Sequence, residues 1–162
     1  MLETPVQERR TRAAATVERH AHILWIDHGR GGHGYLRGDS RAFSPLPVSL
    51  ADTTGSGSPD TTPGELLAAA VCSSFVVTLA DLLAQRGTPA LELAVDAICQ
   101  TENRDCGRTI SGLRIRVRGR GAELEPESFA DCADLALGCC PISHALSATV
   151  TITIDADLAR GT

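Results

Sequence analysis

Two hydrophobic periods run along this chain. Residues 110–120 (ISGLRIRVRGR) place Leu113, Ile115 and Val117 on one side and Arg114, Arg116 and Arg118 on the other. That period of two predicts a strand with one buried and one solvated face, and the arginines read as its wet side. Residues 149–155 repeat the pattern with Val150, Ile152 and Ile154, and residues 91–101 repeat it more weakly. Near the start, residues 20–27 (HAHILWID) predict a short strand, followed by a glycine-rich hairpin turn over 29–34. Residues 35–50 have room for two further strands, broken by Pro45 and Pro47.

The stretch from Thr62 behaves differently. Thr62-Pro63-Gly64-Glu65 is a capping-box sequence with proline at the first helical position, and Glu65 is expected to reach back to the cap. Leu66, Leu67, Ala68 to Ala70, Phe75 to Val77, Leu79, Leu82 and Leu83 follow, and Gly87 supplies the stop. A helix apolar on nearly all faces has to be covered on most of them, by its own domain or by a second chain. Further on, Pro126 opens a second helix to about Gly138, and Cys140-Pro141 opens a third, short one to about Ser147. Strands, a long helix, strands, two short helices and a strand make a segregated α+β layout rather than a βαβ repeat.

Composition narrows the function classes. The chain has 162 residues, 43% of them hydrophobic but only 3% aromatic, so an aliphatic core is expected. Its net charge is −5 and all 15 basic residues are arginine, which disfavours a nucleic-acid partner. No uninterrupted apolar run approaches roughly 20 residues, and residues 1–19 form a polar arm without a signal-like apolar core. A cytoplasmic protein without a membrane span, with a single domain over 20–162, is the resulting expectation. The six cysteines, Cys72, Cys99, Cys106, Cys132, Cys139 and Cys140, include no C-x-x-C pair, so no metal cofactor is expected. His20 and His22 lie at strand spacing and read as an exposed pair rather than metal ligands.

The strongest chemical signal is Cys140-Pro141-Ile142-Ser143-His144-Ala145-Leu146. With Pro141 at the first helical position, Cys140 becomes the N-cap, where free N–H groups and the helix dipole favour thiolate. His144, one turn on, is a candidate proton partner. Against this stands the plain alternative of a small residue filling a tight loop.

Together, the TPGELLAAA segment at 62–70 and the CPISHAL segment some seventy residues later resemble the OsmC/Ohr family of osmotically inducible and organic hydroperoxide resistance proteins. The likeness covers most of the chain beyond residue 20. It implies an intertwined homodimer with long buried central helices and antiparallel sheets outside. In peroxidase members one cysteine on the central helix attacks a hydroperoxide, and the cysteine of the C-P-[IV]-S motif resolves the sulfenic acid. An arginine steadies the first thiolate and a glutamate orients the arginine.

Carried over residue by residue, the resemblance makes Cys140 the resolving cysteine and puts Ser74 where the attacking cysteine belongs. Cys72 lies two positions earlier, about 200° around the helix from Ser74. Gly64 takes the place of the orienting glutamate, with Glu65, an acid that many relatives share, next to it. Arg30, Arg37 and Arg41 occupy the arginine's region, and Arg37 is carried as the candidate. Two functions follow from the resemblance. One is thiol-dependent peroxide reduction by Cys140, with Cys72, Cys139 or an external thiol reductant as partner. The other is a catalytically silent dimer that binds a small apolar ligand.

Overall fold

A computed structural model describes residues 16–26, 32–49, 60–105, 107–121 and 123–159. Residues 1–15 of the expected N-terminal arm, Arg30 and most of the glycine turn, residues 50–59 and Cys106 lie outside the described residues.

The element order is β1 (Ala21–Ile26), β2 (His33–Gly38), β3 (Leu46–Ser49), α1 (Pro63–Gln85), β4 (Glu92–Arg104), β5 (Gly107–Arg120), α2 (Pro126–Cys139), α3 (Pro141–Leu146) and β6 (Thr151–Leu158). The strands form two sheets ordered β1-β2-β3 and β4-β5-β6. Pro47 lies within β3, a position open to proline because β3 is the end strand of its sheet.

Three of the four strand pairings are antiparallel, as expected. The fourth departs: β6 runs parallel to β5, with Leu113 opposite Ile152 and Val117 opposite Ala156. The physical reason is the connection. Two helices carry the chain across the sheet between β5 and β6, and such a crossover returns it in the original direction. Strands β4 and β5 also outrun their apolar alternation, extending through polar residues to a tight turn after Arg104.

Helix α1 starts and stops as its sequence predicts. Thr62 Oγ1 accepts from the Glu65 amide at 3.2 Å. The Glu65 carboxylate, however, accepts from the Thr61 hydroxyl at 2.9 Å rather than reaching the Thr62 amide. Thr61 is held beside the helix entry by backbone bonds to Pro47 and Ser49, which makes its hydroxyl the available donor. At the other end Gly87 has φ +76, and the amides of Gly87 and Thr88 donate to Ala84 and Leu83. Those two bonds are the Schellman arrangement, which needs a left-handed residue after the C-cap.

One row of α1 side chains, Val71, Phe75, Leu79 and Leu83, is fully buried. It packs into one cluster with Leu113, Ile115 and Val117 of β5 and Phe129, Cys132, Ala133 and Ala136 of α2. Each such burial contributes about 1.5–3 kcal/mol. Gly119 admits the Phe129 ring, since a Cβ there would lie 2.6 Å from it. The outer face of β5 carries Arg116, Arg118 and Arg120 on Asp155, Asp96 and Glu92, an exposed ladder in keeping with a solvated face.

The remaining face of α1 is more open, with Val77 68% exposed. By length and composition this helix could cross a membrane, which the run-length reading of the sequence missed because isolated polar residues interrupt it. Its buried row gives it the position of a core helix. The β1-β2-β3 sheet packs mainly on itself and leaves Ile23, Leu24, Trp25, Ile26 and Tyr35 exposed.

Gly87→Ala should lower the unfolding free energy by about 1 kcal/mol, because φ is positive and only backbone strain changes. No atom lies within 4 Å of the added Cβ, so steric overlap does not contribute. A urea midpoint unchanged in Gly87→Ala would contradict this account of the helix end.

Candidate active site

Cys140 occupies the joint between α2 and α3. Its amide closes α2 on Ala136 O at 2.8 Å, and its carbonyl accepts from the His144 amide at 2.9 Å to open α3. Pro141 forces this geometry. A residue before proline avoids the helical region, and Cys140 accordingly has φ −65 and ψ 118, so the chain turns here. The turn directs the side chain inward, where it is completely buried. Its neighbour Cys139, the last residue of α2, is exposed.

The sulfur meets α1 at Ser74. Cys140 Sγ and Ser74 Oγ are hydrogen-bonded at 3.1 Å across 66 residues of sequence. Burial alone pushes the Cys140 thiol up. The side chains of Ser143 and Ser74 and the amides of Ser143 and Ile142 act the other way and together bring it below its ordinary value of 9.0. The cause is donation: hydroxyls and amides stabilise a thiolate more than a thiol. Cys140 is thus the N-cap residue predicted from the sequence; in the thiol form its sulfur makes no capping hydrogen bond and donates to the Ser74 hydroxyl instead.

Cys72 lies on a different face. Its Sγ donates to Val95 O of β4 at 3.6 Å, in agreement with the angular offset from Ser74. Burial and the nearby Asp96 carboxylate raise its pKa, and an amide bond from Ala97 offsets only part of this. Cys99 is half-buried on the inward side of β4, with a thiol raised by burial. It stands where a side chain at position 64 would begin, 3.7 Å from the Cβ that Gly64 lacks. Cys99 was not among the expected site residues, although its place in the weak 91–101 alternation was a signal for an inward side chain.

The remaining candidates are dispersed. Glu65 is exposed at the helix entry on Thr61. Arg37 is exposed on β2, within the sheet that packs mainly on itself, and Arg41, with φ 55, lies in the connection between β2 and β3. His144 is exposed on α3. His22 pairs with Asp39 at 2.8 Å and His20 with Glu18 at 3.8 Å, and the described residues hold no group of three or more metal-ligating side chains. Cys140 and Ser74 are therefore the two candidates that the structure brings together within one chain.

These shifts fix a titration order with opposite signs. The folded state depresses the Cys140 pKa, so its contribution to stability is fully present above 9.0 and fades as pH falls through the lower folded value. Cys72 and Cys99 are raised, so theirs is present below 9.0 and is lost as pH rises through the folded values. Ultraviolet thiolate titration should show Cys140→Ser removing an early-ionising group and Cys72→Ser a late one. The reverse order would sink this assignment.

Comparison with known proteins agrees with this layout. Residues 55–155 match the family described as OsmC-like protein. No curated protein matches the sequence. Among solved structures, the chain is similar to an organic hydroperoxide resistance protein from Elizabethkingia anophelis, with a TM-score of 0.75 at 17% identity over 90% of this chain and 99% of that one. The organic hydroperoxide resistance protein OhrB of Bacillus subtilis gives 0.69 at 18% identity, covering 90% of this chain and all of that one. An OsmC-like protein of unknown function from Vibrio cholerae gives 0.70 at 13% identity, covering 87% and 99%. At such identities these structures establish the fold, and the match over residues 55–155 establishes that the chain belongs to the OsmC-like protein family.

Proposed function

We propose that this protein is a thiol-dependent peroxide reductase in which Cys140 is the reacting thiol and an external thiol is the reductant. The observation that carries the reading is the Cys140 sulfur, lowered in pKa and hydrogen-bonded to Ser74, while Cys72 is turned away and raised. In this proposal the Cys140 thiolate attacks one oxygen of a hydroperoxide. An S–O bond forms, the O–O bond breaks, and the departing alkoxide takes a proton to leave as alcohol. A first external thiol condenses with the sulfenic acid, releasing water and forming a mixed disulfide. A second thiol displaces the first as a disulfide and returns Cys140 to its reduced state.

Ser74 cannot form a sulfenate. Its role in this scheme is to donate a hydrogen bond to the thiolate. The reading moves the attacking sulfur from the central helix to the C-P-[IV]-S segment. A reducing cytoplasm suits the five described cysteines, all of them free. The family's homodimer would cover both the open face of α1 and the exposed β1-β2-β3 sheet, which carries Arg37, and would make residues 20–162 one OsmC-like domain.

A second reading rests on a specific observation. The Cys140 sulfur is completely covered by its own chain, and Ser74 and Gly64 replace the attacking cysteine and the orienting glutamate. On that reading the protein is a catalytically silent dimer holding a small apolar ligand at its interface.

The deciding assay follows consumption of an organic hydroperoxide with dithiothreitol or a dihydrolipoyl thiol. Turnover should be abolished in Cys140→Ser and retained in Cys72→Ser. No turnover in the unaltered protein favours the silent dimer, and loss in both variants points to a two-cysteine cycle through Cys72. Sedimentation equilibrium should give twice the 17.0 kDa chain mass. A monomer in solution would contradict the dimeric part of the proposal.

A further inference from the structure

Ser143 is the buried residue of α3, 1% exposed, and its hydroxyl has no hydrogen-bond partner of ordinary geometry among the described residues. A buried hydroxyl without a partner destabilises the fold, so such a group calls for a physical reason. Its surroundings supply one. The hydroxyl belongs to the turn of α3 capped by Cys140 and acts on that sulfur, while Ser74 meets the same sulfur from α1. In the reduced thiol, the sulfur gives its proton to Ser74 and is a weak acceptor for anything else. An ionised sulfur is a strong acceptor. The missing partner of Ser143 therefore arrives when Cys140 loses its proton.

We propose that Ser143 is the positioning residue of the active sulfur, a hydroxyl held in reserve in α3 that donates to Cys140 once the sulfur carries negative charge, opposite Ser74. The proposal rests on the assignment of Cys140 as the reacting thiol and deepens it by tying the action of Ser143 to the ionised form of the sulfur. No electrons move in this step; one proton leaves the thiol for solvent, and one O–H group turns toward the sulfur. The charged side chains of the packed helices, Glu65 and Asp81 of α1, Glu127, Asp131 and Asp134 of α2 and His144 of α3, are not among the groups that move the Cys140 pKa. Among the described residues the thiolate is held by neutral donors alone. Its formation is accordingly insensitive to salt, unlike a thiolate paired with an arginine or lysine.

The test reads the thiol directly and needs no peroxide, so it stands apart from whether the protein turns peroxide over. Ultraviolet thiolate titration of each protein, minus the same protein carrying Cys140→Ser, isolates the Cys140 midpoint. Ser143→Ala should raise that midpoint by about one pH unit, the scale of one hydrogen bond to a charged group. Ser74→Ala should raise it too, and neither shift should change between low and high salt. Below the midpoint Ser143→Ala should be as stable as the parent or more so, because an unpartnered hydroxyl is removed. A midpoint unchanged in Ser143→Ala overturns the proposal. So does a loss of stability or failure to fold in that variant, since either would make the hydroxyl a structural group with a partner in the thiol state.

Discussion

The rest of the structure depends on the covering of α1. A helix apolar on nearly every face cannot present a wet side, so each neighbour must take part of its surface. Inside the chain, the row from Val71 to Leu83 is closed by β5 and α2. That packing sets the height at which α3 meets α1, and through it the meeting of Ser74 with Cys140. The candidate active site is thus a by-product of core packing: Ser74 lies on the flank of the inner row, between Val71 and Phe75 in sequence. The same constraint explains why one chain looks incomplete, with the β1-β2-β3 sheet lying open beside a half-covered helix.

Much of this was legible in the sequence, for reasons particular to each element. Helix α1 carries its own start in Thr62 and Pro63 and its own stop in Gly87, and these act through local backbone bonds that need no tertiary partner. The inner and outer faces of β5 follow from alternation. Its neighbours do not, because alternation fixes which side chains face the core and is silent on which strand lies alongside or in which direction. The parallel pairing of β6 is of that kind. So are the ends of β4 and β5, where residues such as Glu102, Asn103 and Arg104 are held by hairpin hydrogen bonds rather than by burial.

For the site, the angular separation of Cys72 and Ser74 could be read from helical geometry, and the Cys140 cap from Pro141. The contact between Cys140 and Ser74 could not. It joins positions 66 residues apart, and their register comes from packing between helices, for which neither segment carries a local signal. Ser143 was visible within the motif, yet nothing in a sequence marks a hydroxyl as buried and unpartnered. The arginine remained open for another reason. The sheet that carries Arg37, with Arg41 in the connection after β2, is tied to the core side at the bridge between Val48 and Thr61 and otherwise packs mainly on itself.

A serine at position 74 sets what this pair of side chains can do. Two sulfurs at this spot can share one oxidation event and close it as a disulfide. A sulfur and a hydroxyl cannot, and the hydroxyl, too weak an acid to ionise near neutral pH, is left only the role of donor. The pair therefore closes no disulfide between its members, and the hydroxyl favours ionisation of the Cys140 sulfur. With Ser143 on the other side, Cys140 is held by two hydroxyls and two amides, all neutral. A thiolate stabilised this way keeps its character without an arginine, and no arginine is among the groups that shift the Cys140 pKa. The chemistry that such a sulfur can perform is then limited by access and not by activation, because its own chain covers it completely.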